Sequence, residues 1–193
     1  MTDSKLTGLL TDKEITDLCR WGMLSPWEER QKRVGKISYG VTSCGYDIRL
    51  GTRFRVFTPT RCTVIDPKAF DMDALVVHEG DYCLIPPNSY ALAESVERFQ
   101  MPDDVLGVAI GKSTYARCGL ICNCTPIEPG WHGYLTIELA NATPLPIKVY
   151  ANEGIAQVLF FRTGNRPLDT YGRFGNYQGQ VGVTLPVVRE DTY

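Results

Sequence analysis

From residue 46 onward the apolar positions fall into short runs, β-branched or alternating with polar residues, and Gly, Pro or Asn separates one run from the next. The runs at 46–50, 53–57, 74–77, 81–85, 89–93, 105–110, 135–139, 147–150 and 155–161 predict the strands of a mainly β chain. The N-terminal part reads differently. Thr11 followed by Glu14 has the spacing of a capping box and predicts a short helix to about Arg20. Pro26, preceded by Ser25 and followed by Trp27, Glu28, Glu29 and Arg30, predicts a second helical turn with proline at its first position. Gly35, Gly40 and Gly45 then end helical periodicity. The segment 171–182 is too rich in Gly and polar groups to be core; it reads either as a frayed terminus or as a lid whose Arg, Tyr and Gln close over a ligand. No repeat or low-complexity linker divides the chain, so we expect one domain over 1–193, with a helical segment at 1–36, a β core at 37–166 and a lid or tail at 167–193.

Composition narrows the function classes. A length of 193 residues with 44% hydrophobic content suits one domain with a sizeable core. Lys and Arg total 20 against 22 Asp and Glu, with no run of like charge, so no nucleic-acid or membrane partner is expected and any anion must be held locally. The longest apolar runs, such as 155–161, are too short to span a bilayer. The seven cysteines are scattered and odd in number, and no secretory segment opens the chain, which suits reduced thiols and a cytoplasmic location.

Candidate chemistry concentrates in 111–141. Gly111, Lys112, Ser113 and Thr114 follow a strand and offer backbone N–H groups, a cation and hydroxyls suited to phosphate oxygens. They are not a Walker P-loop, because position 106 is Leu where that motif needs Gly. Alternation along 135–140 puts Leu135, Ile137 and Leu139 on one face and Thr136, Glu138 and Ala140 on the other. Glu138 between small neighbours is either a solvated edge-strand carboxylate or a group facing a ligand. Arg117 is either a surface helix charge or a partner that holds Glu138 ionised and orients water. Zinc deamination needs a His-x-Glu with a Pro-Cys-x-x-Cys; the chain has only His78 and His132 and lacks Cys-x-x-Cys, so no zinc is expected. Cys122 and Cys124 point the same way on a predicted strand and suggest core packing. No G-x-S-x-G elbow of a serine hydrolase is present.

The run from Gly111 to Leu120, with Ile127, Glu128, Pro129, Gly130, Trp131 and then Ile137, Glu138, Leu139, resembles the dCTP deaminases of the dUTPase superfamily. The stretches 43–50, 86–93, 152–157 and 171–182 extend the likeness over nearly the whole chain. The resemblance implies a distorted jelly-roll or β-barrel of the dUTPase-like type, with short N-terminal helices, assembling as a homotrimer with intersubunit active sites. It implies zinc-independent hydrolysis of dCTP to dUTP and ammonia, supplying dUTP towards dUMP and dTTP. Magnesium would arrive on the nucleotide phosphates, and dTTP is the implied inhibitor. Glu138 would be general base and acid, with Ser113 and Arg117 holding the water. Lys112, Ser113 and Thr114, with Tyr171, Asn176 and Gln180 of the tail, would meet the phosphates. Trp131 and Glu128 would bind the deoxyribose, and Leu135 and Thr136 would read the base.

Four departures from that pattern shape the expectations. Lys112 stands where many relatives have Arg, which replaces a bidentate fork by a point charge. Glu128 stands where Asp is common, the segment between Leu120 and Ile127 is short, and Asn176 takes the place of a tail Lys. Either Arg173 replaces that cation, or a less phosphorylated or modified cytosine nucleotide is a competing substrate. Two alternatives stand behind the single reaction: a bifunctional deaminase and diphosphatase giving dUMP, against which Thr125, Pro126, Ile127 and Trp131 speak, and a non-catalytic dNTP-binding trimer, against which Ser113, Arg117 and Glu138 speak.

Overall fold

The computed structural model describes residues 7–59 and 64–188. In chain order its elements are β1 (Gly8–Leu9), α1 (Asp12–Arg20), β2 (Leu24–Ser25), β3 (Gly40–Thr42), β4 (Gly45–Phe57), β5 (Leu75–Glu79), β6 (Tyr82–Ile85), β7 (Tyr90–Gln100), β8 (Val105–Gly111), α2 (Ser113–Ala116), β9 (Leu120–Asn123), β10 (His132–Asn141), β11 (Ile147–Tyr150), β12 (Gly154–Arg162) and α3 (Tyr171–Phe174). The chain is mainly β with few helices. Ten strands form one curled antiparallel sheet whose main path runs β1-β12-β4-β7-β10-β9, and β11 pairs with β6 as a separate ribbon.

The curl comes from β4. Its first half pairs with β12 and β3 and its second half with β7 and β5, with a register shift between Leu50 and Phe54. The sequence pattern predicts two strands here, at 46–50 and 53–57. They are one strand, because Gly51 is a close approach and not an end: a side chain there would meet the Glu94 backbone oxygen at 3.0 Å. At this corner Arg49 gives its N–H to Glu97 at 2.8 Å and its guanidinium to the same carboxylate at 2.7 Å. Glu97 is fully buried, and burial lifts its carboxyl above the usual range in spite of Arg49. Tyr46, Phe54, Phe99 and Phe160 fill the interior between the sheet faces.

α1 starts as the capping spacing predicts, with the Thr11 N–H and hydroxyl both donating to Glu14 at 3.0 and 2.9 Å. Its apolar stripe buries Ile15 and Cys19. The expected second helix over 25–30 does not form. Leu24 and Ser25 pair with Phe99 and Arg98 of β7, the Glu28 N–H donates to the Tyr46 hydroxyl, and the Glu28 carbonyl accepts from Val41. Tertiary partners take the backbone groups that a helix needs. No helix among the described residues is long and apolar enough to cross a membrane.

Candidate active site

β10 carries the strict alternation read from its sequence: Gly133, Leu135, Ile137, Leu139 and Asn141 are buried, and Thr136, Glu138 and Ala140 face the other side. On that side lies a cavity of about 570 Å³ walled by β7, β10, the 125–131 loop and the C-terminal segment. Glu138 sits in it, opposite Leu92 of β7 and Asn123 of β9. Its Oε2 is buried with no hydrogen-bond partner, and burial pushes the carboxyl up to about 7. Of the two sequence readings of Arg117, a surface helix charge or a partner that holds Glu138 ionised, this chain shows the first. Arg117 is exposed and its Nη1 donates 2.9 Å to the Ser113 carbonyl, closing the short helix α2 on itself.

The cavity gathers Glu128, Trp131, Leu135, Thr136, Glu138, Tyr171 and Gln180, and leaves Lys112, Ser113, Thr114, Arg117 and Asn176 outside. Trp131 packs on Phe99 at 5.9 Å between ring centres and donates its Nε1–H to the Tyr177 carbonyl at 2.8 Å. At Leu135 the β10–β7 ladder bulges, and the freed Leu135 N–H is taken by the buried Ser95 hydroxyl at 2.9 Å. Bulges recur beside active sites because they re-aim neighbouring side chains. Here the bulge lies between Trp131 and Glu138.

The C-terminal segment lies along this bulge. Gln180 forms a parallel bridge with Gly133, and its side-chain amide donates to the Tyr134 carbonyl and, at 3.3 Å, to the Thr136 hydroxyl. The Thr184 N–H donates to the same hydroxyl at 3.2 Å. Gln178 binds the His132 N–H and the Gly130 carbonyl at 3.2 and 3.0 Å. Gln180 and Thr136, expected to meet phosphate and base, are thus engaged with each other. Asn176 is exposed.

Lys112 occupies a different hollow, shared with Arg33, Lys36, Ser38 and Thr114. Its ammonium is bonded to Asp47, which also accepts from Gln31 at 2.6 Å. Burial lifts the Asp47 carboxyl, and Lys112 opposes that lift. Sequence reasoning missed Phe57, Tyr90, Leu92, Pro126 and Tyr177 among the cavity walls. Tyr90 and Leu92 were within reach of the alternation rule, since they face Ala140 and Glu138 across the ladder. Phe57 closes the predicted strand at 53–57, while Pro126 and Tyr177 depend on loop paths that periodicity does not encode.

A carboxyl raised to about 7 by burial, in a mostly apolar cavity that a tryptophan also lines, is a group suited to proton transfer. Residues 9–163 match the model of the dCTP deaminase-like family. The chain belongs to that family. The dCTP deaminase of Gemmatimonas aurantiaca is 57% identical over 181 residues, covering 93% of this chain and 98% of that protein. The dCTP deaminase of Erythrobacter litoralis is 54% identical, covering 92% and 98%. Among solved structures, the 2'-deoxycytidine 5'-triphosphate deaminase of Agrobacterium tumefaciens matches in fold, with a TM-score of 0.62 at 20% identity; the match covers 81% of this chain and 48% of that one. The dCTP deaminase-like match ends at residue 163, ahead of the segment that packs against the cavity.

Proposed function

We propose that this dCTP deaminase-like chain hydrolyses dCTP to dUTP and ammonia, with Glu138 as general base and acid. One observation carries the proposal: the Glu138 carboxyl, raised to about 7 by burial, with its Oε2 buried and without a hydrogen-bond partner. Such a group is ionised often enough at neutral pH to accept a proton and acidic enough afterwards to return it. Glu138 takes a proton from water as its oxygen attacks the amino-bearing carbon of the pyrimidine. It passes protons to the ring nitrogen and to the departing amine, which leaves as ammonia. Trp131 supports the deoxyribose, Glu128 meets its 3'-hydroxyl, and backbone groups at the Leu135 bulge read the pyrimidine edge.

Ser113 and Arg117, which lie outside the cavity of their own chain, serve a neighbouring subunit in a homotrimer and hold the attacking water there. Exposed apolar side chains at Val76, Val77, Leu84, Ile110, Ile121 and Leu145 support such an assembly. The proposed chemistry is zinc-independent and rests on the carboxyl. Magnesium enters with the triphosphate as part of the substrate. Incubating the protein with magnesium and dCTP, and separating dUTP from dUMP while following ammonia, tests the proposal. Accumulating dUTP supports it, dUMP with pyrophosphate replaces it by the bifunctional reaction, and absence of ammonia removes it.

A second reading is favoured by the residues expected at the phosphates. Asn176 brings no charge and Lys112 is already bonded to Asp47, which suits a less phosphorylated or modified cytosine nucleotide. Turnover of dCMP or a 5-substituted dCTP above that of dCTP would establish it; a clear dCTP preference would discard it.

A further inference from the structure

Two thiols next to the cavity have no part in the proposed reaction. Cys122 and Cys124 are both half-buried, and their sulfurs lie 3.9 Å apart. Cys122 is held in β9 opposite Leu139, with Gly111 of β8 pressed so close that a side chain there would meet the Cys122 Cβ at 3.2 Å. Cys124 stands just beyond the ladder, whose last pair joins Asn123 to Glu138. The chain is pinned again at Ile127, which exchanges two backbone hydrogen bonds of 2.8 Å with Gly107. Between these anchors only 124–126 is free of ladder contacts, and Thr125 and Pro126 are cavity wall.

We propose that Cys122 and Cys124 are a reversible modification site: peroxides convert the pair to a disulfide, and the closure pulls the Thr125–Pro126 wall and switches the cavity off. To bond, the sulfurs must move from 3.9 Å to about 2.0 Å. The anchored β9 side does not yield, so the 124–126 side moves. The hydrogen bond to Cys122, followed by burial, raises the Cys124 thiol and keeps its proton on it. Because the 124–126 side is the one that moves, Cys122 is the fixed sulfur that meets the oxidant and Cys124 the one brought onto it. Its thiolate takes one oxygen from hydrogen peroxide, giving a sulfenic acid and hydroxide. That hydroxide removes the Cys124 proton as water, and the Cys124 sulfur attacks the sulfenic sulfur and expels a second hydroxide, which takes up the proton first lost by Cys122. Two thiols and one peroxide give one disulfide and two waters; a dithiol reductant reverses the change by exchange.

Only the activity readout of this proposal rests on the deaminase reading. The reduced full-length protein is treated with hydrogen peroxide, alkylated under denaturing conditions and digested with trypsin. The peptide that begins at Cys118 carries Cys122 and Cys124 as well, so fragment ions must place the bridge. The expected result is a loss of two hydrogens confined to Cys122 and Cys124, altered hydrogen exchange at 123–127, and a fall in dCTP turnover of about tenfold or more. Dithiothreitol restores all three. Cys122→Val and Cys124→Val each resist peroxide, whereas Cys118→Ser responds as the parent does. A bridge through Cys118, irreversible sulfonic acids, two alkylated thiols after peroxide, or a bridge with unchanged exchange and turnover overturns the proposal. If the reduced protein converts no nucleotide, the deaminase reading fails while the mass and exchange measurements still decide this one.

Discussion

Leu135 gives its backbone N–H to the hydroxyl of Ser95, 2.9 Å away, where β10 slips register against β7. Ser95 in turn donates to the Glu97 carbonyl at 2.7 Å, so one buried hydroxyl ties the bulge to the corner held by Arg49 and Glu97. Replacing Ser95 by Ala leaves the Leu135 N–H buried and unpaired, at a cost of about 1–3 kcal/mol. A urea titration of Ser95→Ala should show that loss as a lower midpoint with unchanged slope, together with reduced kcat/KM for dCTP. An unchanged midpoint would mean that the bulge is held by the rest of the ladder.

Glu138→Gln should lower turnover by a factor of about 10² to 10⁴, because an amide cannot accept the proton, while nucleotide binding persists. The parent protein should lose kcat/KM tenfold per unit as pH falls below about 7, where the carboxyl takes up its proton. Stability moves the opposite way. The folded chain binds this proton more tightly than the unfolded chain, so between the ordinary value of 4.5 and about 7 the contribution of Glu138 to stability is lost as pH rises. Glu138→Gln should therefore be more stable than the parent at pH 8 by about 1–2 kcal/mol, less than the full shift because the carboxyl is only partly buried, and should show little gain at pH 4. Equal denaturation midpoints at pH 8 would contradict the desolvation of Glu138.

Gly133 has φ of +144°, and a side chain on it would meet the Gln180 oxygen and nitrogen at 2.9 and 3.0 Å. Gly133→Ala should lift the 170–188 segment from β10. Limited proteolysis should then cut within that segment several-fold faster while the β core stays intact, and KM for nucleotide should rise more than kcat falls. A cleavage pattern identical to the parent's would show that the segment is held elsewhere.

Much of the fold and part of the site were legible in the sequence. Alternation placed Glu138 on the open face of its strand because a period of two needs no knowledge of partners. The Thr11 and Glu14 cap was legible because all its groups lie within four residues. The helix expected after Pro26 failed since Tyr46 and Val41, distant in sequence, claim the backbone of Glu28. The single long β4 was hidden because Gly51 signals a break locally, whereas its reason is Glu94 on another strand. The bulge at Leu135 and the seating of Gln180 on Thr136 depend on register between distant segments, which no local pattern carries.

The pairing of Lys112 with Asp47 bears on how a ligand arrives. Lys112 is 11% exposed and its charge is already matched. A matched ion pair projects little potential into solvent, and the chain as a whole carries a net charge of −2. A nucleotide polyanion approaching this protein therefore gains little long-range steering from Lys112. Replacing Lys112 should leave the salt dependence of the encounter rate nearly unchanged, and its effect falls on the time a nucleotide stays after arrival.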